Sequence, residues 1–268
     1  MRLIKTMKSN TKTPEEIKIM DRAGEILGIV LAETLKKVKP GVTELELDSF
    51  ADAKILELGG FPGFKKVDGY KHATCVATND VVVHGIPTDR KLKEGDIIAV
   101  DCGVYLDGFH SDMAETVVVG KTHNKDIYRF LEAGKSAMFA GIRAAIPGNR
   151  VGHISKSMQE IIEHKNGFSV VRSLVGHGVG RQLHEDPQIP GYLSSKIEKT
   201  PLLVPGMAIA IEIIYNMGKR DVEFEGSDDW TIVSKDGSLS GVFERTIVIT
   251  EKGPRLLTRF PGETIALI

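Results

Sequence analysis

Two copies of one sequence pattern follow each other along the chain, and this repeat limits the possible folds more than any other feature. Residues 31–61 and 138–168 each read as a helix, a Pro-Gly turn and a second helix, with the Pro-Gly and Gly-Phe pairs at matching distances. A strand follows each copy, and residues 92–101 (LKEGDIIAVD) match residues 203–212 (LVPGMAIAIE) position by position. The repeat predicts two similar α/β halves that face each other across a pseudo-twofold axis.

The composition is that of an ordinary globular protein, and 268 residues suit one large α/β domain or two small ones. The formal net charge of -1 disfavours nucleic acid or an anionic membrane as the main partner. The two cysteines form at most one disulfide, no secretory signal is present, and no apolar run is long enough for a membrane span. These features favour a cytoplasmic protein without a membrane anchor.

The dipeptide Asp107-Gly108 is a strong signal for a two-residue β-hairpin, because a type I′ turn needs positive φ at both central positions. This turn places Gly103 opposite Asp112, and Asp101 opposite Ala114. Because side chains alternate between the two faces of a strand, all four then lie on one face. The two aspartates become diagonal neighbours, and the two small residues leave the space between them free of side chains. We therefore predict that both carboxylates converge on a small ligand.

Two further acids, Glu212 and Glu244, lie in apolar runs that are typical of buried strands. A solvated strand face would explain the aspartates alone, but an isolated buried carboxylate is very costly. The four acids therefore require a cation. His177 lies between glycines, with His184 seven residues later. Four carboxylates and one imidazole suit two divalent ions such as Mn, Fe, Co or Zn, and such a pair supports hydrolysis.

Several segments together resemble the type I methionine aminopeptidases: the hairpin, the apolar strand of Glu212, and the runs at residues 79–87 (NDVVVHGIP), 176–187 (GHGVGRQLHEDP) and 230–246 (WTIVSKDGSLSGVFERT). The resemblance covers nearly the whole chain from about residue 13. It implies the pita-bread fold, an α/β (α+β) architecture of two pseudosymmetric halves with antiparallel sheets covered by helices. The implied organisation is a flexible lead-in at 1–12 and one catalytic domain at 13–268, with halves of roughly 13–120 and 121–250.

The resemblance also implies an activity. Enzymes of this family hydrolyse the initiator methionine from nascent proteins whose second residue is small, through a hydroxide bound by two metal ions. The expected partners are nascent polypeptide N-termini, met in the cytoplasm and in transient proximity to the ribosome. The sequence shows no dedicated ribosome-binding segment, and family analogy predicts a monomer.

The family pattern assigns a role to each candidate metal ligand. Asp101 resembles the ligand that binds one metal through both oxygens, and Asp112 and Glu244 resemble the carboxylates that bridge the two metals. His177 and Glu212 complete the second metal site. Glu212 also resembles the general base that moves a proton during hydrolysis.

Two other histidines and three apolar positions match substrate-binding positions of the family. His184 resembles the histidine that contacts the scissile carbonyl, and His84 the histidine near the substrate nitrogen. Tyr70, Cys75 and Trp230 match positions of the methionine side-chain pocket, which uses soft sulfur and aromatic surfaces.

The sequence departs from the family pattern at three positions, and one loop is unusual. Leu183 stands where Phe is usual, Ile213 where Pro is common, and Arg245 where His is common. Phe61 and Phe64 lie in a loop that is longer than the family's, so neither is assigned to the pocket. A second two-residue turn at Asp236-Gly237 would place Trp230 opposite Phe243, beside Glu244.

Two alternatives stay open at this point. An Xaa-Pro aminopeptidase or prolidase has similar metal ligands and a different pocket, but it usually carries a sizeable N-terminal domain. A non-catalytic binding protein on the same fold would be expected to lack one or more of the ligands, and all five are present here.

Overall fold

Ten strands form one antiparallel sheet in the computed structural model, which describes residues 11–226 and 228–264. The helices are α1 (Pro14–Leu35), α2 (Glu44–Glu57), α3 (Lys125–Ala144) and α4 (Val151–Gln159), which continues as a π-helical turn at Glu160–Lys165. The strands are β1 (Phe61–Pro62), β2 (Thr74–Thr78), β3 (Val81–Val83), β4 (Ile97–Leu106), β5 (Phe109–Val118), β6 (Ser169–Val170), β7 (Gly176–Gly178), β8 (Glu185–Ile189), β9 (Ala208–Asn216), β10 (Val222–Phe224), β11 (Ile232–Ser234), β12 (Ser240–Thr250) and β13 (Gly253–Leu256).

The large sheet joins the two halves of the chain at its centre. Its strand order is β1-β4-β5-β12-β9-β7-β8, with β2 paired to β4, β6 to β9 and β13 to β12. The hairpin of β4 and β5 comes from the first half, and the pair of β9 and β12 comes from the second. The two halves meet where β5 pairs with β12. A smaller three-stranded sheet, β10-β11-β3, also combines strands of both halves.

The repeat predicted from the sequence is visible in the backbone hydrogen bonds. In each half, the residues that follow the proline of the Pro-Gly turn exchange two hydrogen bonds with the leucine that opens the matched strand segment. The bonds are Gly41 N to Leu92 O and Leu92 N to Val42 O in the first half, and Gly148 N to Leu203 O and Leu203 N to Asn149 O in the second. The duplication is therefore structural as well as sequential.

The helices cover one face of the large sheet. Helices α1 and α2 begin at Thr13 and Thr43, and each threonine forms a reciprocal capping box with a glutamate three residues later. Helix α1 packs on β4 and β5, and α3 packs on β9 and β12. Cys102, Val104 and Met113 face this helical layer in one buried cluster. The other face of the same strands is left for the site.

Both ends of the described chain are attached to the opposite half. Lys12 N donates to Gly206 O at 2.7 Å, and the Lys12 ammonium lies 2.8 Å from a carboxylate oxygen of Glu185. After β13, the chain crosses to α1, where Arg259 lies 3.1 Å from Asp21. The predicted flexible lead-in lies outside the described residues for positions 1–10, whereas Thr11 and Lys12 pair with the second half. No helix in the described ranges has the length and apolar character needed to cross a bilayer.

Candidate active site

Three carboxylates stand in one row across four strands of the large sheet. Ala114 on β5 lies opposite Asp101 on β4 and, on its other side, opposite Glu244 on β12. Glu244 in turn lies opposite Glu212 on β9. Because residues directly opposite each other in a sheet point to the same face, the three carboxylates share the face that the helices leave open.

Asp112 and His177 form a second row beside the first. Asp112 lies opposite Gly103, two residues from Ala114, so it points to the same face. His177 on β7 lies opposite Ala210, two residues before Glu212. The His177 Nε2 atom is 3.8 Å from an oxygen of Asp112 and 3.9 Å from an oxygen of Glu244.

The hairpin register predicted from the sequence is confirmed. Asp107 has φ of +46° and Gly108 of +94°, as a type I′ turn requires. The prediction that the space over Gly103 is free of side chains is wrong, however. A β carbon at Gly103 would lie 2.8 Å from Cε1 of Phe64, so the glycine makes room for this ring rather than for solvent. Phe64 comes from the loop that the sequence left unassigned.

The carboxylates are crowded together and removed from bulk water. Burial raises the pKa of Asp101 to about 7, which outweighs the lowering effect of its hydrogen bond with Asp112. Burial and the neighbouring Asp101 raise the pKa of Glu212 to about 8. Burial, followed by repulsion from the other carboxylates, raises the pKa values of Asp112 and Glu244 well above the ordinary range. The cluster is therefore unfavourable as four bare anions.

The imidazole of His177 is oriented by its backbone. Its Nδ1 lies 2.9 Å from the carbonyl oxygen of Gly178, and a donated hydrogen bond there leaves the Nε2 lone pair facing the carboxylates. Burial lowers the pKa of His177 to about 4, so the ring is neutral at pH 7. Close packing requires both flanking glycines. A β carbon at Gly176 would overlap the carbonyl oxygen of Ala210 on β9, and a β carbon at Gly178 would overlap that of Asp186 on β8.

These donors fit divalent metal ions. Ligand atoms of Asp112, His177 and Glu244 all lie within 4.8 Å of one another. One oxygen of Asp101 and one of Glu244 are buried without a hydrogen-bond partner among the described residues. Bound cations would satisfy these oxygens and remove the repulsion that raises the carboxyl pKa values. Carboxylates with one imidazole suit Mn, Fe, Co or Zn.

An apolar cavity of about 290 Å³ opens directly above the carboxylates. Its wall contains Phe64, Tyr70, Cys75 and Leu183, which form one buried cluster, with Trp230 packed against them. The ring centroids of Tyr70 and Trp230 are 5.1 Å apart in an edge-on arrangement. The wall is thus built from aromatic, sulfur and aliphatic surface.

Two histidines stand on the cavity wall. His84 follows β3 and adopts φ of +56°, a conformation that residues other than glycine rarely adopt and that is found disproportionately at functional sites. The ring of His184 lies 4.4 Å from the ring of His177, measured between centroids. Burial lowers the pKa of each wall histidine, so both are neutral at pH 7.

The structure brings all ten residues predicted for the site to this one cavity. The ten are Tyr70, Cys75, His84, Asp101, Asp112, His177, His184, Glu212, Trp230 and Glu244. Sequence reasoning missed the segment at residues 173–175, which lines the cavity just before His177.

The predicted pairing of Trp230 with Phe243 is wrong. Strand β11, which follows Trp230, pairs with β10 and β3 rather than with β12. Phe243 instead lies opposite Ile213 on β9. Trp230 reaches the cavity from a turn in which Asp228 accepts hydrogen bonds from the backbone of Trp230 and Thr231.

The three departures from the family pattern occupy well-defined positions. Leu183 is buried in the apolar wall of the cavity, and Ile213 is buried in the core while its strand continues to Asn216. Arg245 turns away from the carboxylates to the helical face. There its guanidinium contacts Glu115 at 2.7 Å and Glu263 at 2.9 Å. Its charge is therefore neutralised behind the sheet.

Comparison with known proteins identifies the family. Residues 18–251 match the sequence model of metallopeptidase family M24. The chain belongs to metallopeptidase family M24. Among M24 relatives, methionine aminopeptidase 1 of Bacillus subtilis is 45% identical over 248 residues, which cover 92% of this chain and 98% of the relative. The methionine aminopeptidase of Escherichia coli is 38% identical over 264 residues, which cover 98% of each chain.

Solved structures agree with this M24 assignment. The crystal structure of methionine aminopeptidase from Thermotoga maritima has a TM-score of 0.89 and 40% identity, and covers 94% of this chain and 99% of that chain. Prolidase from Pyrococcus furiosus has a TM-score of 0.73 at 24% identity, with 94% of this chain and 66% of that chain covered, which shows a shared fold alone. The predicted pita-bread fold is confirmed, and the M24 chain is a metallopeptidase, that is, a hydrolase.

Proposed function

We propose that this M24 metallopeptidase removes the initiator methionine from newly made proteins whose second residue is small, and that it uses two divalent metal ions to do so. The observation that carries the proposal is the placement of four carboxylates and one imidazole at the floor of a small apolar cavity. The names of the relatives, which are methionine aminopeptidases at 38–45% identity, support the choice of substrate.

Five side chains would hold the metals. Asp101 would hold one ion, His177 and Glu212 would hold the other, and Asp112 and Glu244 would contribute ligand atoms to both. Bound divalent ions supply positive charge that lowers the pKa of water and polarises a peptide carbonyl. Two dications would also balance the four negative charges of the carboxylates.

The remaining chemistry belongs to the chain's own side chains. Glu212 lines the cavity, where its carboxylate is placed to move a proton from the attacking water to the leaving amine. His184 and His84 are neutral, so each carries one N–H that can donate. We assign His184 to the oxygen of the scissile carbonyl and His84 to the substrate nitrogen.

The cavity wall selects the first residue of the substrate. An unbranched thioether gains favourable contacts with aromatic and sulfur surface, and Tyr70, Trp230 and Cys75 supply that surface. A charged side chain would lose its hydration in the same space without an ionic partner. The pocket residues and the carboxylates line one cavity, so a bound methionine places its following peptide bond near the metal ligands.

Peptide cleavage by the manganese-loaded protein tests the proposal. Free methionine should be released from Met-Ala-Ser, and release from Met-Leu-Ser should be slower by at least tenfold because its second residue is bulky. An Ala-Pro-Ser peptide is the matched control and should stay intact. Cleavage of Ala-Pro-Ser in preference to Met-Ala-Ser would contradict the assignment of the pocket and favour the Xaa-Pro aminopeptidase alternative.

The cellular setting is proposed on the same grounds. Nascent polypeptide N-termini are the expected partners, which implies a cytoplasmic enzyme that acts in transient proximity to the ribosome. Monomeric behaviour is proposed by analogy with the family.

A further inference from the structure

A second, polar groove lies beside the catalytic cavity. Its volume is about 760 Å³, and its lining includes Arg172, Lys219, Arg220 and Lys235. Ser173 lines both the groove and the catalytic cavity, so the two are neighbours along the chain segment that leads to His177. Nothing in the proposed hydrolysis uses the groove.

The groove carries an excess of positive charge. Lys219, Arg220 and Lys235 are exposed, and no ion pair within 4 Å involves any of them among the residues that the structure describes. Two carboxylates, Asp221 and Asp236, share the lining with the four cations, so the lining has a net charge of +2. Asp236 accepts hydrogen bonds from the backbone of Lys219 at 2.8 Å and Ser238 at 3.1 Å, so its oxygens already hold the loop together.

The fourth cation, Arg172, is held in a fixed position. Its guanidinium lies 2.6 Å from Glu163 and 4.2 Å above the centroid of the Tyr192 ring. The Tyr192 hydroxyl donates to the backbone oxygen of Arg172 at 3.2 Å. The Nη1 atom of Arg172 is buried and has no hydrogen-bond partner among the described residues. Arg172 is therefore held rigidly beside Ser173, with its charge paired to Glu163 and one N–H group left to donate.

We propose that this groove binds acidic side chains at the third to fifth residues of the substrate, and so favours proteins that begin with methionine, a small residue and then acids. The inference rests on the proposed function. An extended chain advances about 3.3–3.6 Å per residue, so a peptide whose first residue fills the cavity reaches past Ser173 within a few residues. Carboxylates are the groups that a cluster of arginine and lysine recognises.

Three peptides with amidated C-termini test the proposal: Met-Ala-Glu-Glu-Ser, Met-Ala-Gln-Gln-Ser and Met-Ala-Lys-Lys-Ser. The measured quantity is kcat/KM of the manganese-loaded protein at low salt. We expect the Glu peptide to exceed the Gln peptide about five- to tenfold, mainly through a lower KM, and the Lys peptide to fall below both. The preference should shrink at high salt, because the cations are exposed and therefore screened.

Charge reversal locates the effect. In a double variant with Lys219→Glu and Arg220→Glu, the ratio of kcat/KM for the Glu and Gln peptides should fall to about one or lower. The matched control is Lys36→Glu with Lys39→Glu, the same charge change on exposed lysines at the far end of α1, which should leave the ratio unchanged. A ratio within one protein preparation is independent of metal loading.

The outcomes separate the two proposals. Absence of methionine release from the Gln peptide would contradict the proposed function. Release from the Gln peptide with the same kcat/KM as from the Glu peptide would overturn the groove inference alone. Equal cleavage combined with binding of a labelled oligonucleotide that only the groove variant loses would overturn it as well, and would assign the groove to nucleic acid.

Discussion

At the scale of single residues, the site is a set of carboxylates that would be unstable without a ligand. The row of Asp101, Glu244 and Glu212 follows from strand register alone, and the sequence already contained most of that information. The Asp107-Gly108 turn set the register that places Asp101 and Asp112 on one strand face. The sequence repeat placed Asp101 and Glu212 at equivalent positions in the two halves. Phe64 was not predictable in this way, because its ring reaches the site from an irregular loop whose conformation depends on tertiary packing.

Replacement of His184 by Ala separates catalysis from metal binding. Its ring lines the cavity but lies outside the cluster of Asp112, His177 and Glu244. Loss of one donor to the developing oxyanion costs about 10²–10³ in kcat in comparable sites. We expect that decrease on Met-Ala-Ser, with bound metal unchanged by elemental analysis. The control is His123→Ala on an exposed loop, which should keep the full rate. A full rate in His184→Ala would contradict the assigned role.

At the scale of secondary-structure elements, Arg245 links β12 to β5 and to the C-terminal segment on the face of the sheet opposite the site. It donates to Glu115 on β5 and to Glu263 in the C-terminal segment, and also to the backbone oxygens of Ala114 and Glu244. Phe260 covers the guanidinium, 4.7 Å away. The position of Glu244 is thus fixed from the opposite face of its strand.

Replacement of Arg245 by Met should lower the free energy of unfolding by about 3–5 kcal/mol, because it removes the cation beside Glu263 and leaves Glu115 only the half-exposed Lys135. Urea denaturation measures the change. The control is Arg255→Met, which removes a half-exposed ion pair with Asp21 and should cost less than about 1 kcal/mol. Equal losses in the two variants would contradict the account of the buried network.

Elements were predictable from sequence to different degrees. The capped helices α1 and α2 and the long hairpin carry strong local signals, and all three form as predicted. The partner of β11 was mispredicted, because three-residue strands carry too little pattern to specify a partner, and a Gly turn does not guarantee a hairpin. In the structure, β11 pairs with β10 and β3 instead of β12.

At the scale of the whole molecule, the site lies on the seam between two related halves, and it breaks their symmetry. Asp101 lies opposite Ala114 in the first half, and the equivalent Glu212 lies opposite Glu244 in the second. Ala114 and Glu244 therefore occupy equivalent positions and pair with each other across the pseudo-twofold axis. The sequence predicted the duplication, but not the small three-stranded sheet or the C-terminal crossing, because both depend on long-range contacts without a local signal.

The crowded carboxylates predict an unusual pH dependence for the metal-free protein. Asp101 and Glu212 have pKa values raised to about 7 and about 8, so between pH 6.5 and 8 the folded state holds protons that the unfolded chain has released. The free energy of unfolding must then fall as pH rises. The buried histidines offset part of this fall up to about pH 7.5, because their pKa values are lowered in the folded state while the unfolded chain still holds some protons on them near pH 6.5.

Urea denaturation of chelator-treated protein measures this effect. We expect a loss of about 1–2 kcal/mol between pH 6.5 and 8, given about 1.4 kcal/mol per unit of pKa shift. The manganese-loaded protein is the control, and its stability should hold or rise over the same range, because metal binding favours the deprotonated ligands. A metal-free protein whose stability rises with pH would show that the carboxyl pKa values are not raised.

The most direct test of the central claim is a metal titration followed by methionine release. Chelator-stripped protein receives manganese in measured equivalents, and free methionine from Met-Ala-Ser is quantified at each step, with Asp101→Asn as the matched variant. The account predicts no release without metal, a rise that saturates near two equivalents, and weaker metal binding with lower activity in the variant. Full release from the stripped protein, or no release at any metal concentration, would contradict it.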